Sequence, residues 1–155
     1  MKEYRLTKEG YENLIKEFDD LVNNKRKEIA ERLKEAKENS GDLTENAEYE
    51  YAKNEQAFIE GRIEQISEII KNHVIIKENV SNGLIELGSA VKVKDLETSR
   101  EREFKIVSSI ESDPDKNKIS DESPLGRAIL NKKAGEEVIF KTPGKTRKFK
   151  IIKVT

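Results

Sequence analysis

The chain has no cysteine, which excludes both a disulfide framework and a thiolate nucleophile or metal ligand. Its single histidine, His73, falls at the end of a helical stretch with no acid–nucleophile pattern beside it, and that argues against a histidine general base. There is no apolar run of membrane length and no signal-peptide core, so a cytoplasmic protein without a membrane partner is expected. Positive charge is not in excess either. The net charge is −1, which does not advertise a free nucleic-acid binder, because such proteins usually carry a concentrated positive patch on one fold.

What the chain does have is charge of both signs, 39% of residues against 34% hydrophobic. That balance suits an elongated, solvated molecule in which a pair of helices fills only one apolar seam. The 155 residues would fit one domain, yet the pattern changes character near residue 75. Two small units are therefore expected: residues 1–76, a linker at 77–83, and residues 84–155. The first carries 13 Lys and Arg against 18 Asp and Glu, a charge of −5, and residues 77–155 carry 17 against 13, a charge of +4.

In the first unit Tyr11, Ile15, Phe18, Val22, Lys25, Ile29, Arg32 and Ala36 follow one another in steps of four and three, the seam of a helix packed along a partner. The step recurs at Tyr49, Ala52, Gln56, Ile59, Ile63, Ile66, Ile70 and His73. Folding back between the two sets Ala36 near Tyr49, Ile29 near Gln56, Val22 near Ile63 and Ile15 near Ile70, which predicts an antiparallel two-helix coiled coil. With ~30 residues per arm at ~1.5 Å each, it would project ~45 Å. Thr7 is the expected cap of the first helix, with Leu6 as a staple. Gly41 is its expected stop and Thr44 the next N-cap, followed by Glu45 and Glu48 where the helix dipole favours acids. Lys25 and Arg32 lie on the seam, where long side chains can reach water or pair with acids across the hairpin.

The second unit reads differently. Residues 90–94, 103–107, 137–140 and 149–154 are short β-prone runs, several alternating apolar and charged, and predict a small antiparallel sheet. Residues 124–130 predict one short helix, capped by Ser123 and with Pro124 at its tolerated first position. Pro143-Gly144 predicts the turn of a terminal hairpin.

The chemistry-bearing candidates are Asp42 and Glu45, placed at the hairpin turn where both carboxylates can face one hard cation. On spacing alone the alternative is that Asp42 solvates the turn and Glu45 complements a helix N-terminus. No third strong ligand is near, so a partner would have to complete any metal site.

The run Gly41-Asp42-Leu43-Thr44-Glu45-Asn46-Ala47-Glu48-Tyr49, with Ala52-Lys53 and Phe58-Ile59-Glu60-Gly61-Arg62-Ile63 after it, closely resembles the signature of the bacterial transcript cleavage factors, the GreA/GreB family. Leu6-Thr7-Lys8-Glu9-Gly10 is similar to the family's opening. Glu111-Ser112-Asp113-Pro114, Ser123-Pro124-Leu125-Gly126-Arg127-Ala128 and Thr142-Pro143-Gly144 follow in family order. Leu43-Thr44 and Tyr49-Glu50 lean towards the GreA branch.

The resemblance implies an α+β protein: an N-terminal antiparallel coiled coil inserted through the secondary channel of RNA polymerase, and a C-terminal FKBP-like domain on the channel rim. It implies an accessory factor, not a free-standing enzyme, that stimulates the polymerase's own cleavage of backtracked RNA. Its partners would be the polymerase and the RNA 3′ end, with no small-molecule substrate. Asp42 and Glu45 would help hold a magnesium ion that belongs to the polymerase active site, no cofactor being bound stably by the chain itself. Thr44 and Asn46 would orient water or RNA, Lys37 and Lys53 would meet RNA, and Ser123, Pro124 and Leu125 would engage the rim. Such a fold also raises prolyl isomerisation, but that site needs an aromatic cup, and Phe104, Phe140 and Phe149 are expected in the core.

Two departures from the family pattern bear on geometry. Asn39-Ser40 makes the spacing before Gly41 one residue longer than usual, which could rotate or raise the tip acids. Arg26-Lys27 stands where the family has Arg-Pro, which predicts a straighter first helix. Two rival functions remain at this stage: a non-cleaving, inhibitory regulator occupying the same channel, and a coiled coil that holds unfolded chains.

Overall fold

A computed structural model describes residues 2–38, 43–77 and 83–155, and of residues 43–46 the backbone alone. The chain forms two compact units, and one cut does not separate them. Residues Tyr11–His73 belong to the first, while Tyr4–Gly10 join Val74–Thr155 in the second.

The first unit is a helical hairpin. Helix α1 (Lys8–Asp20) passes through a π turn (Leu21–Lys25) into α2 (Arg26–Glu38), and α3 (Leu43–Lys71) returns. Helices α2 and α3 pack against each other, so they are the two arms of a hairpin, as the two seams require. Ile29, Ala52, Ile59 and Ile63 form the buried seam, with Phe18, Leu21, Val22 and Leu33 packed on it. Ion pairs stitch its flanks. Arg26 holds Glu60 in a bidentate contact at 2.9 and 2.7 Å, Arg62 holds Glu17 at 2.6 and 2.8 Å, and Arg32 donates to Glu55 at 2.6 Å. Arg32 thus pairs across the hairpin, while Lys25 meets Glu28 on its own helix.

The π turn stands beside the Arg26-Lys27 pair and corrects one expectation. The Arg26 amide reaches back five residues to the Leu21 carbonyl, which inserts one extra residue into the helical turn. The seam is consequently out of step by one residue across it. Ile29 and Ala36 are buried where the period puts them, but upstream Leu14, not Ile15, is the buried residue. At the turn itself both Leu21 and Val22 pack on the seam. On α3 the expected seam holds at Ala52, Ile59, Ile63 and Ile66, and then passes to Ile69 in place of Ile70.

Strands β1 (Tyr4–Leu6) and β2 (His73–Ile75) form a two-stranded sheet. Strands β3 (Ala90–Asp95), β4 (Glu101–Val107), β5 (Lys118–Ser120), β6 (Glu137–Thr142) and β7 (Lys145–Val154) form a five-stranded one in the order β5-β4-β3-β7-β6. It is not wholly antiparallel. Strand β5 runs parallel to β4, with Ile106 opposite Ile119, because residues 108–117, with a 3-10 turn at Pro114–Lys116, carry the chain back before it pairs. The short helix α4 (Pro124–Ile129) contributes Leu125 and Ile129 to a core shared with Val91, Val93, Phe104, Ile106, Phe149 and Ile151. Phe104 and Phe149 are buried there and Phe140 packs against them, so the three phenylalanines are core and line no cup.

The first residues of α1 belong to the second unit. Thr7 caps the helix, its Oγ1 accepting from the Gly10 amide at 3.0 Å. The Thr7 amide and hydroxyl in turn donate to the two oxygens of Glu111 at 2.8 and 2.6 Å. In a capping box the third helical residue supplies that carboxylate. Here the third residue is Gly10, and a Cβ on it would lie 2.1 Å from the Glu111 Cδ. Glu111 therefore occupies the space and performs the role of the missing side chain.

Candidate functional site

The turn between α2 and α3 is where the sequence places its acids. Asp42 lies outside the described residues, as do Gly41 and the Asn39-Ser40 pair thought to lengthen the turn, and the side chains of Thr44, Glu45 and Asn46 lie outside them too. The backbone is informative. Leu43 and Thr44 are both already helical, so Thr44 lies within α3 and is not its cap, and Glu45 follows it on the same helix.

The basic candidates flank this tip. Lys37 is exposed in the last turn of α2, where the helix C-terminus favours a cation. Lys53 is exposed on α3 with its ammonium 5.9 Å from the centre of the Tyr49 ring. A concavity of about 510 Å³ lies between the arms behind the tip, lined by Arg32, Glu35, Ala36, Ala47, Glu48, Tyr51 and Ala52. Tyr51 and Phe58, seven residues apart on α3, are 66% and 77% exposed. The seam spacing assigns neither a role, although two aromatics seven apart and off the seam are a legible sign of an apolar surface strip. The Arg32 guanidinium sits 5.8 Å from the centre of the Tyr51 ring.

Among the described residues no three His, Cys, Asp or Glu side chains converge as metal ligands do. His73 is structural: its ring stacks on Tyr11 with centroids 4.3 Å apart, and Nδ1 lies within hydrogen-bond distance of the Ile70 carbonyl.

The second candidate region divides its roles. Ser123 Oγ accepts from the Gly126 amide at 3.0 Å and donates to the Ser120 carbonyl at 2.7 Å, so it is committed to capping α4 and closing the preceding turn. Leu125 is buried in the core. Gly126 lets the helix press on that turn, since a Cβ would stand 2.1 Å from the Ser120 carbonyl oxygen. Of the predicted rim-binding trio, only Pro124 is exposed, with Glu122 and Arg127 beside it. Ser123 and Leu125 set the shape of the turn that presents it.

The strongest electrostatic contact is elsewhere. Buried Asp95, at the end of β3, takes a hydrogen bond from Arg147 and others from the amides of Glu97 and Thr98. The Arg147 guanidinium, then those amides, hold its carboxyl down at about 2. The contact closes the turn from β3 to β4 and lies in no cleft. Among the described residues no helix is long and apolar enough to cross a membrane.

Residues 4–75 match the family model described as "Transcription elongation factor, N-terminal", and residues 80–155 match "Transcription elongation factor, GreA/GreB, C-term". The transcription elongation factor GreA of Clostridium acetobutylicum is 46% identical over 154 residues, covering 99% of this chain and 97% of its own length. That of Clostridium botulinum is 47% identical, covering 99% and 96%. Among solved structures, GreA factor homolog 1 of Thermus thermophilus is 32% identical over 99% of each chain, with a TM-score of 0.47. On the two family models, which together take in nearly the whole chain, and on these full-length relatives, the protein belongs to the GreA/GreB family of transcription elongation factors.

Proposed function

We propose that the protein is a cytoplasmic elongation factor that enters the secondary channel of RNA polymerase and stimulates the polymerase's own cleavage of backtracked RNA. What supports the reading is the return of α3 along α2, which leaves Asp42 and Glu45 in or beside the short stretch of sequence joining two arms held by one seam and three cross-helix arginine–glutamate contacts. Carboxylates at such a junction would be presented to a partner.

Asp42 and Glu45 are the residues that would share a magnesium ion with the polymerase. Two carboxylates are what such an ion commonly takes from protein, the rest of its shell being water or substrate oxygen. When bound there, the metal would supply activation of the attacking water and stabilisation of the leaving oxygen. The chain's own part is to hold anionic oxygens in place. Thr44 and Asn46, on either side of Glu45 in sequence, would orient water or RNA. Lys37 and Lys53 stand within about three helical turns of the acids, where phosphate contacts fix the register of an incoming strand without reading its sequence. The C-terminal unit would dock on the channel rim through the exposed face of the Ser123–Leu125 turn. On this view the isolated chain has no turnover, and catalysis belongs to the complex.

The test is a halted elongation complex given purified factor and magnesium. Shortened RNA is expected, and Asp42→Asn with Glu45→Gln should lower the cleavage rate by about 10–100-fold, the scale on which metal affinity falls when supporting groups are lost. Unchanged cleavage by the double variant would remove the mechanism. Slower nucleotide addition with no cleavage would assign the protein to the inhibitory reading instead.

A further inference from the structure

The five-stranded sheet has two edges, and they are finished differently. Strand β5 closes one end with three half-buried residues, a short edge that gives another strand little to pair with. At the other end β6 runs from Glu137 to Thr142, with no strand on its outer side among the described residues. Its hydrogen-bond phase follows from its pairing with β7. The Ile151 amide donates to the Glu136 carbonyl, and Val138, Phe140 and Thr142 follow at every second residue, opposite Phe149, Arg147 and Lys145. In an antiparallel pair alternate residues exchange both backbone bonds and those between them exchange none. The amides and carbonyls of Glu137, Ile139 and Lys141 therefore point away from β7, to the open edge.

The side chains of these three residues share the outer face, because Val138 between them is buried. Ile139 is 65% exposed. A lone exposed isoleucine is ordinary, but this one stands on an unpaired edge with an acid two residues before it and a base two residues after it. Charges of one sign protect an edge by repelling a copy. Here the signs are opposite and the spacing symmetric, so the strand is complementary to itself. Laid antiparallel about a two-fold axis at Ile139, two copies set Glu137 opposite the copy's Lys141, Lys141 opposite the copy's Glu137, and the isoleucines opposite each other. Each facing pair also exchanges both of its backbone bonds, which satisfies the outward amides and carbonyls. Sliding the copy by one residue would turn outer side chains against inner ones, and sliding it by two would set Ile139 against a charge. Glu137 stands 3.7 Å from Lys148 on β7, but both side chains are half exposed, so that contact is weak and exchangeable. Lys141 makes no ion pair among the described residues.

We infer that the β6 edge is a homodimerisation surface, across which a second copy of this chain adds its own β6 antiparallel and joins the two sheets into one. The symmetric charge pattern singles out a second copy among the strands that could add there. A contact of one strand pair falls below the ~1,200 Å² of stable complexes, so the dimer forms only at high protein concentration. The surface lies in the second unit and is independent of the tip chemistry proposed above.

The experiment is sedimentation equilibrium of the full-length protein from about 1 μM to about 1 mM. The average mass should rise from one chain towards two. Glu137→Lys or Lys141→Glu alone turns both symmetry-related pairs from attractive to repulsive, and each should weaken association by about tenfold or more. Combining Glu137→Lys with Lys141→Glu exchanges the signs within each pair and should restore association. Ile139→Lys sets two ammonium groups opposite each other and should leave a monomer. The changed side chains are exposed, so the far-ultraviolet circular dichroism of every variant should match wild type. A wild-type chain that stays monomeric at about 1 mM, single variants that associate as well as wild type, or a double variant that fails to regain association would each overturn the assignment. A dimer that persists in Ile139→Lys would also overturn it, giving self-association to another surface.

Discussion

The two units are stabilised in different ways, and the difference assigns them different work. In the hairpin, one apolar seam and a set of exposed ion pairs hold two helices together. In the sheet unit, Val93, Ile106, Ile129, Phe149 and Ile151 are almost entirely removed from water, and even a carboxylate, Asp95, is buried. A thin seam makes a rod that can reach. A closed core makes a platform whose outer surfaces keep their shape. The proposed tip chemistry and the proposed docking through the sheet unit would each draw on one side of that division.

The comparison is sharpened most by deleting the same kind of side chain in both units. Phe149→Ala should cost about 3–5 kcal/mol and melt the sheet unit, while the helical circular dichroism of the hairpin persists. Ile59→Ala should fall near the low end of the ~2–5 kcal/mol range for such truncations, since a two-helix seam lets water or neighbouring side chains close the gap. Equal losses, or one transition for both units after Phe149→Ala, would contradict the separation.

A smaller but opposite pair of effects comes from glycine. Gly126→Ala drives a methyl group against the Ser120 carbonyl and the Asp121 Cα and should destabilise by about 1–3 kcal/mol. Gly61→Ala, in the middle of α3 with nothing near its Cβ position, should stabilise the hairpin by about 0.5–1 kcal/mol. Urea midpoints of the two variants are the check, and the same sign for both would break the account.

Acid should also separate the units. Asp95 has its carboxyl held at about 2 against an ordinary value of 3.8. Its contribution is complete above pH 3.8 and is lost as the pH falls towards about 2, because protonation of the folded form then competes with the Arg147 contact. Urea midpoints of the sheet unit should drop across that window and Asp95→Asn should flatten the drop. A wild-type midpoint that does not respond there would remove this role. The smallest effect is expected at Arg26→Ala. The Arg26 side chain is 44% exposed, and its bidentate hold on Glu60, although it lowers the Glu60 carboxyl and raises the guanidinium, is screened by solvent and salt. Little change in hairpin melting is expected, and a large one would make the flanking ion pairs more important than the seam.

Much of this architecture was legible in the sequence. Steps of three and four located both arms, since a helix repeats every ~3.6 residues, and alternation located β3, β4, β6 and β7. Ser123 and Pro124 marked the start of α4 by their capping chemistry. What escaped has physical reasons. The π turn at Leu21–Lys25 leaves no composition signal, and its inserted residue silently moved the upstream seam from Ile15 to Leu14. Strands β1, β2 and β5 are three residues each, too short for alternation to register, and the parallel pairing of β5 is set by the connection before it. The Thr7–Glu111 cap and the Asp95–Arg147 contact join residues 104 and 52 positions apart, which local patterns cannot pair. At the site, the order of Asp42 and Glu45 between two helical periods was legible. Burial of Leu125 and commitment of Ser123 to a cap were not, because a helix start and a binding turn use the same residues.

The most direct measurement of the division of labour is cleavage rate against factor concentration in a halted elongation complex, for wild type, for Asp42→Asn with Glu45→Gln, and for Pro124→Glu. The tip variant should bind as well as wild type, reaching a much lower plateau at the same half-saturating concentration. The Pro124 variant should need more factor to reach an undiminished plateau. A tip variant that loses affinity but keeps its plateau, or a Pro124 variant that loses its plateau at unchanged affinity, would contradict the account.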